Sequence, residues 1–306
     1  MKKIFFILSY FIVNICIFAE RLCIYTKSFY FFDKNIDKIV YSFFPSSLFQ
    51  DNAQKLIWID KLQSIYQAYK TNFIKIEFFY NENQFDVIFY LKNSDKFYFS
   101  DGKMLPEEKL KDSDKYDSYF YNYFGTSNYH IYSKYLFSKT NEYDFYHSIY
   151  GKNKEELFNN LIKVKIFKKN LYFNNKNYAV YRLKKVAEEI ENINDKEIKD
   201  YINKKIKILQ SFHYRNIAYQ NKLSLHSFGI AIDIIPRYKN KFIYWYWSIP
   251  FVKEWWNIKE SDKVEMPSAI IKVFENNFFC WDGKWERFDI MHFEYKPEIF
   301  YRRLRF

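Results

Sequence analysis

The chain has 306 residues, a formal net charge of +12 and an aromatic content of 24% against only five glycines. That length can bury a substantial core and suggests two domains, with interiors filled by Phe, Tyr and Ile. No RNP signature, finger spacing or recognition helix accompanies the lysines. The charge therefore reads as a solvated basic surface or an attraction to an acidic polymer such as cell wall, and nothing points to nucleic acid as the partner.

Residues 1–19, MKKIFFILSYFIVNICIFA, read as a secretory signal. Lys2 and Lys3 precede an apolar run, and Ala19 offers a small residue for cleavage. The run is shorter than the about 20 residues that a membrane span requires. The expected product is thus exported, periplasmic or extracellular, with no stable membrane span after cleavage and a tether only if the leader stays. Cys16 and Cys23 lack the small residues that precede a lipoprotein cysteine, and a Cys23–Cys280 bridge has no framework around it.

Residues 20–165 form an N-terminal α+β region without chemistry of its own. Near-helical spacing of Leu56, Ile57, Ile59, Leu62, Ile65 and Tyr66 predicts a helix over 50–70. The runs at 73–80, 85–91 and 96–100 have the aromatic and β-branched content of strands, with NEN at 81–83 as a hairpin loop. Ser100-Asp101-Gly102-Lys103 matches the Ser-x-x-Lys pattern of penicillin-binding enzymes. Asp-Gly after a strand reads as a turn instead, and neither partner motif follows. His130 and His147, set among tyrosines, read as structural or exposed.

From about residue 152 the texture changes. Helices are expected over 154–162 and 178–193, the second with Ala179, Val180, Leu183, Val186, Ala187 and Ile190 in one stripe, and LYF at 171–173 reads as a short strand. Asn194 with Glu197 suits a capping box for a further helix burying Ile198, Ile202 and Ile206. In KILQSFHYR, alternation places Leu209, Ser211, His213 and Arg215 on one strand face, which aims Arg215 into a cleft. The aromatic stretch 242–256, FIYWYWSIPFVKEWW, is expected in the core or as a wall that grips substrate. A helix over 267–277, opened by Pro267, leads into a last strand that Pro297 ends.

Two segments carry the chemistry. SLHSFGIAID offers His226 and Asp233 at S-x-H-x-x-G-x-A-x-D spacing, and WDGKWERFDIMHFEY offers Asp289 and His292. Together they supply two nitrogen ligands, one oxygen ligand and a spare carboxylate, the inventory of a catalytic zinc site with one position open. Asp233 projects from a strand whose other face, Ile230, Ile232 and Ile234, is buried. Small Ala231 leaves room, Gly229 permits the turn from His226, and Ser224 is placed to support the histidine. Gly229 and Gly283 are both expected where the backbone is closed to other residues.

These segments, with Arg215, resemble the VanY-like D-alanyl-D-alanine carboxypeptidases, zinc peptidases related to phage L-alanyl-D-glutamate endopeptidases and to the hedgehog-type fold. The resemblance covers about 178–298. It implies an α+β catalytic domain over 166–306, with a mainly antiparallel sheet flanked by helices. It further implies Zn2+ held by His226, Asp233 and His292, Asp289 as general base, and Arg215 on the substrate. Glu294 is the alternative base or a support for His292, while His213 and Trp285 border the cleft. Asp282 stands where a second glycine is usual, and Ile235 and Lys241 replace the usual asparagine and proline. The expected function is removal of the terminal D-alanine from peptidoglycan stem peptides. A peptidoglycan endopeptidase is the alternative, and a non-catalytic wall-binding protein on the same fold is the alternative of another class.

Overall fold

A computed structural model describes residues 25–30, 52–81, 84–120, 123, 143–217, 222–285 and 287–302. The expected signal at 1–19, Cys23 and His130 lie outside them.

The N-terminal part runs β1 (Tyr25–Tyr30), α1 (Asn52–Tyr69), β2 (Phe73–Asn81), β3 (Gln84–Leu91), β4 (Lys96–Ser100) and β5 (Lys103–Leu105). Its strands pair antiparallel in sequence order. Period-two alternation explains the sheet: Ile76 and Phe78, then Val87 and Phe89, then Phe97 and Phe99 are buried. Helix α1 covers them with Leu62, Ile65 and Tyr69, and Trp58 meets the Phe99 ring edge-on. Ser100 pairs with Lys103 across the β4–β5 turn, where Asp101 and Gly102 both take positive φ. The Ser-x-x-Lys pattern is therefore a tight hairpin and opens no helix.

The chain continues through α2 (Asp144–Tyr150), α3 (Lys154–Asn159), the hairpin β6 (Leu161–Ile166) and β7 (Lys169–Asn174), α4 (Ala179–Glu191) and α5 (Lys196–Asp200). After a π-helical turn come β8 (Ile206–Gln210), β9 (Ala231–Pro236), α6 (Trp245–Ser248), α7 (Ser268–Asn276), β10 (Phe279–Trp281), β11 (His292–Tyr295) and α8 (Pro297–Phe300). Three expectations shift. Helix α3 stops at Asn159 because Leu161 already pairs with Asn174. The α5 cap is Asp195, whose carboxylate accepts from the Glu197 and Ile198 amides, so the capping box at Asn194 is one residue out. Strand β8 ends at Gln210, short of Arg215, because Ser211 leaves the ladder, its hydroxyl donating to the Tyr172 carbonyl.

The architecture is mixed α+β with antiparallel sheets. In the sheet that matters for function the order is β10-β11-β9-β8. Its apolar side packs on α4 and α7, with Leu183, Ile270, Phe274, Phe279 and Phe293 fully or almost fully buried and the Phe274 and Phe293 rings 4.2 Å apart. One buried cluster includes both Phe89 of the N-terminal sheet and Phe293 of this one. At their joint the Tyr69 and Tyr146 hydroxyls donate to the two oxygens of buried Glu298, at 2.8 and 2.7 Å.

Candidate metal centre

Register builds the site. β11 lies antiparallel to β9 with His292 directly opposite Asp233, and in such a pair the side chains stand on the same face within contact distance. His226 comes from a 3-10 turn, Leu225–Phe228, that enters β9 through Gly229. The Ser224 hydroxyl caps this turn by accepting from the His226 amide. Gly229 has φ +67°, and a Cβ there would come within 2.7 Å of Leu161, so both conformation and space require glycine. Gly283 differs from expectation: its φ is ordinary, and it is needed because a Cβ would strike the Trp281 ring.

The three expected ligands converge. His292 Nδ1 lies 2.9 Å from Asp233 Oδ1, His226 Nε2 lies 3.2 Å from the same oxygen, and the two ring nitrogens are 3.2 Å apart. His226 Nδ1 stands 2.5 Å from the Ser211 carbonyl. A carbonyl only accepts, so Nδ1 carries the hydrogen and Nε2 faces the cluster as a lone pair. Two imidazole nitrogens and a carboxylate oxygen held this close are stable only with a proton or a metal cation among them. Ligand atoms at zinc distances around a tetrahedral ion stand about 3.4 Å apart, so a small outward movement of the three side chains separates this arrangement from a loaded one. The donor set fits a divalent ion of zinc type, with its metal identity left to the chemistry of two nitrogens and one oxygen.

Burial raises the Asp233 carboxyl, but the neighbouring His226 and His292 imidazoles outweigh it and hold the group well below the usual carboxylate range. Burial depresses His292, yet Asp233, Asp282 and Glu294 outweigh that and push its imidazole well above the ordinary value. On the far side of the ring, His292 Nε2 faces Glu294 Oε2 at 3.9 Å and Asp282 Oδ2 at 4.0 Å. These three residues form a second group able to hold a cation. Glu294 therefore stands behind His292, on the side opposite the three-ligand cluster.

Asp289 lies near enough to the cluster for the charges of His292 and Asp233 to act on it. It sits in the turn before β11, where its amide donates to the Asp282 carbonyl and its carbonyl accepts from the His292 amide. Burial, opposed by His292 and assisted by Asp233, pushes its carboxyl up to about 7. Its Oδ1 is buried without a hydrogen-bond partner among the described residues, which leaves an acceptor for a water or substrate proton.

Arg215 reaches the same place by another route than strand alternation. The Ser227 hydroxyl accepts from the Arg215 amide at 2.8 Å and donates to its carbonyl at 2.7 Å, which straps the exposed arginine alongside the His226 turn. Its charge acts on both Asp289 and Tyr244. His213 is exposed, and its backbone, rather than its ring, meets the His226 carbonyl. The Trp285 indole donates to Asp282 Oδ1 at 3.2 Å, so it stands one residue removed from His292. His147 is structural: its ring packs edge-on against Phe228.

Sequence reading passed over Ser211, Ser227 and Tyr244. The last bridges Asp289 through its backbone, and burial followed by the Asp289 charge pushes its phenol up to about 12. Ser227 lay inside the motif and Tyr244 inside the aromatic stretch, but no spacing rule singles out either. That stretch divides: Ile243 and Trp255 are core, whereas Trp247 and Phe251 are exposed, the latter at 78%.

Residues 218–295 match the family model described as D-alanyl-D-alanine carboxypeptidase. The matched span holds His226, Asp233, Asp289 and His292 together, and it supports the family suspected from the motifs. No curated protein and no solved structure matches the chain.

Proposed function

We propose that the chain is an exported zinc peptidase that hydrolyses peptidoglycan stem peptides, releasing the terminal D-alanine, on a hedgehog-type catalytic domain. The observation that carries this reading is the meeting of His226 Nε2, Asp233 Oδ1 and His292 Nδ1 within 3.2 Å, beside a buried carboxyl whose pKa is pushed up to about 7. The carboxypeptidase family match over 218–295 supports the substrate class.

His226, Asp233 and His292 would hold the ion. Zinc bound there supplies Lewis acidity toward a peptide carbonyl and makes water acidic near neutral pH. Asp289 takes the proton of the attacking water at Oδ1 and delivers it to the leaving amine, work for which a buried carboxylate oxygen without a hydrogen-bond partner among the described residues is suited. Arg215, charged at every working pH, grips the substrate's terminal carboxylate or the developing oxyanion. The Ser211 carbonyl fixes the His226 tautomer, and Glu294 with Asp282 steadies His292 from behind. Ser224 and Gly229 set the turn that presents His226. Trp285 acts through Asp282, and His213 borders the open side.

The test mixes the purified chain with stem peptides, with and without chelator, and identifies products by mass. Chelator-sensitive release of free D-alanine is the expected result. Internal cuts would make it an endopeptidase, and retention of the peptide without cleavage would make it a wall-binding protein.

A further inference from the structure

Beyond this centre, one cavity stands out among the described residues. It has a volume of about 370 Å³ and lies where the end of α1, the first turn of α4 and the C-terminal segment meet. Tyr295, on its wall, is three residues along β11 from His292, or roughly 10 Å at strand rise. It is therefore a neighbour of the metal centre and separate from it.

Its lining carries two cations, Lys70 and Arg182, and no carboxylate. The Arg182 guanidinium lies 4.3 Å over the Phe278 ring, and Phe278 stacks on Tyr301 at 5.0 Å. That stack fixes the plane of the guanidinium and leaves its N–H fork for an anion. Among the described residues, Lys70 Nζ meets a neutral amide oxygen of Gln67, at 3.3 Å. Helix α4 starts here with no side-chain cap, its Ala179 amide donating to the Lys176 carbonyl, and its N-terminal end adds positive potential at the same wall.

The rim is unusual in a second way. Tyr178 has φ 62° and Phe278 has φ 69°, the left-handed region that bulky residues avoid and glycine accepts freely. Both line the cavity. Glycine would relieve either position and remove the ring, so the chain holds two aromatic faces here against backbone preference. Tyr178 and Tyr181 are about half exposed. They present flat faces with a hydroxyl, and Thr71 and Gln67 add polar groups beside them.

Open aromatic faces suit sugar rings, polar neighbours suit their hydroxyls, and unopposed cations suit an acid group. We propose that this cavity is a second binding site, for a saccharide bearing a free carboxylate or phosphate, which holds a peptide-free or phosphate-bearing stretch of wall polymer while the metal centre works on a peptide attached elsewhere along it. The saccharide site stands on its own residues; only the coupling to cleavage rests on the peptidase reading.

Isothermal titration calorimetry of the intact chain with N-acetylmuramic acid, glucose 6-phosphate and neutral N-acetylglucosamine tests it. The two acids are expected to bind about tenfold tighter than the neutral sugar. Arg182→Gln should weaken the acids by about tenfold, and Tyr178→Gly should abolish binding while the melting temperature stays level or rises. His226→Ala should leave sugar binding unchanged, which separates this site from the metal centre. Equal affinity for the neutral sugar, wild-type binding by both cavity variants, or no binding of either acid would overturn the proposal. Co-sedimentation with peptide-free glycan strands and with a phosphate-bearing wall polymer identifies the source, and retention by neither removes the holding role.

Discussion

The two antiparallel sheets of this protein are built alike and used differently. In the N-terminal sheet, neighbours in sequence are neighbours in space, the inward positions are aromatic or aliphatic, and charges sit in outer pairs such as Lys152–Asp95 at 2.8 Å. In the β10-β11-β9-β8 sheet the strands come from distant stretches, and one face carries Asp233, His292 and Glu294 buried or nearly so. Hydrophobic alternation is satisfied in both. Among the described residues only the second keeps carboxylates and imidazoles out of water, which costs stability unless they are paired or hold a cation. That face carries the candidate site.

If the difference is real, substitutions should divide accordingly. The largest effect is expected on the charged face: His292→Ala or Asp233→Ala should eliminate bound zinc, measured by elemental analysis, and peptidase activity with it, while circular dichroism keeps the fold signature. Asp289→Asn should retain the metal and lower kcat by about 10²–10⁴-fold. A variant that loses zinc instead would make Asp289 a ligand and break the assignment.

The pH dependence sharpens the same contrast. A carboxyl raised in the fold to about 7, from an unfolded value near 3.9, favours the folded state most below pH 4. That stability is lost as pH rises through 7, by no more than about 4 kcal/mol. Urea unfolding of metal-free protein from pH 4 to 8 should show the decline, and Asp289→Asn should flatten it. With zinc bound, the cation's charge lowers this pKa, so the acid limb of kcat/KM should fall below about 7.

Smaller effects belong to the joint and the N-terminal surface. Tyr69→Phe leaves one oxygen of buried Glu298 without its 2.8 Å donor, and should cost about 1–3 kcal/mol in chemical denaturation with kcat unchanged. Lys152→Ala removes a surface partner of Asp95 and should change stability by less than about 1 kcal/mol. A large loss there would mean that the N-terminal sheet is more than a packed support.

Much of the fold was legible because its signals are local. Alternation located β2, β3 and β4, helical stripes located α1 and α4, and Asp-Gly marked the β4–β5 turn. The α5 cap was missed by one residue, Asp195 for Asn194; the other errors fell where a distant partner decided the outcome. Helix α3 ended early because β7 claimed Leu161, and β8 stopped at Gln210 because the Ser211 carbonyl was needed by His226.

The candidate site divides in the same way. By itself the sequence determined which atoms are on offer: His226 and Asp233 at motif spacing, Asp289 and His292 in the closing segment, and Gly229 where φ is positive. Residue types and short spacings are local properties, and reading them requires no coordinates. Tertiary structure alone decided that His292 lies opposite Asp233, that Glu294 stands behind the ring rather than at the open side, and that Ser227 rather than a strand straps Arg215. The register of strands brought together from distant stretches is set by the whole core, and no neighbouring residue encodes it.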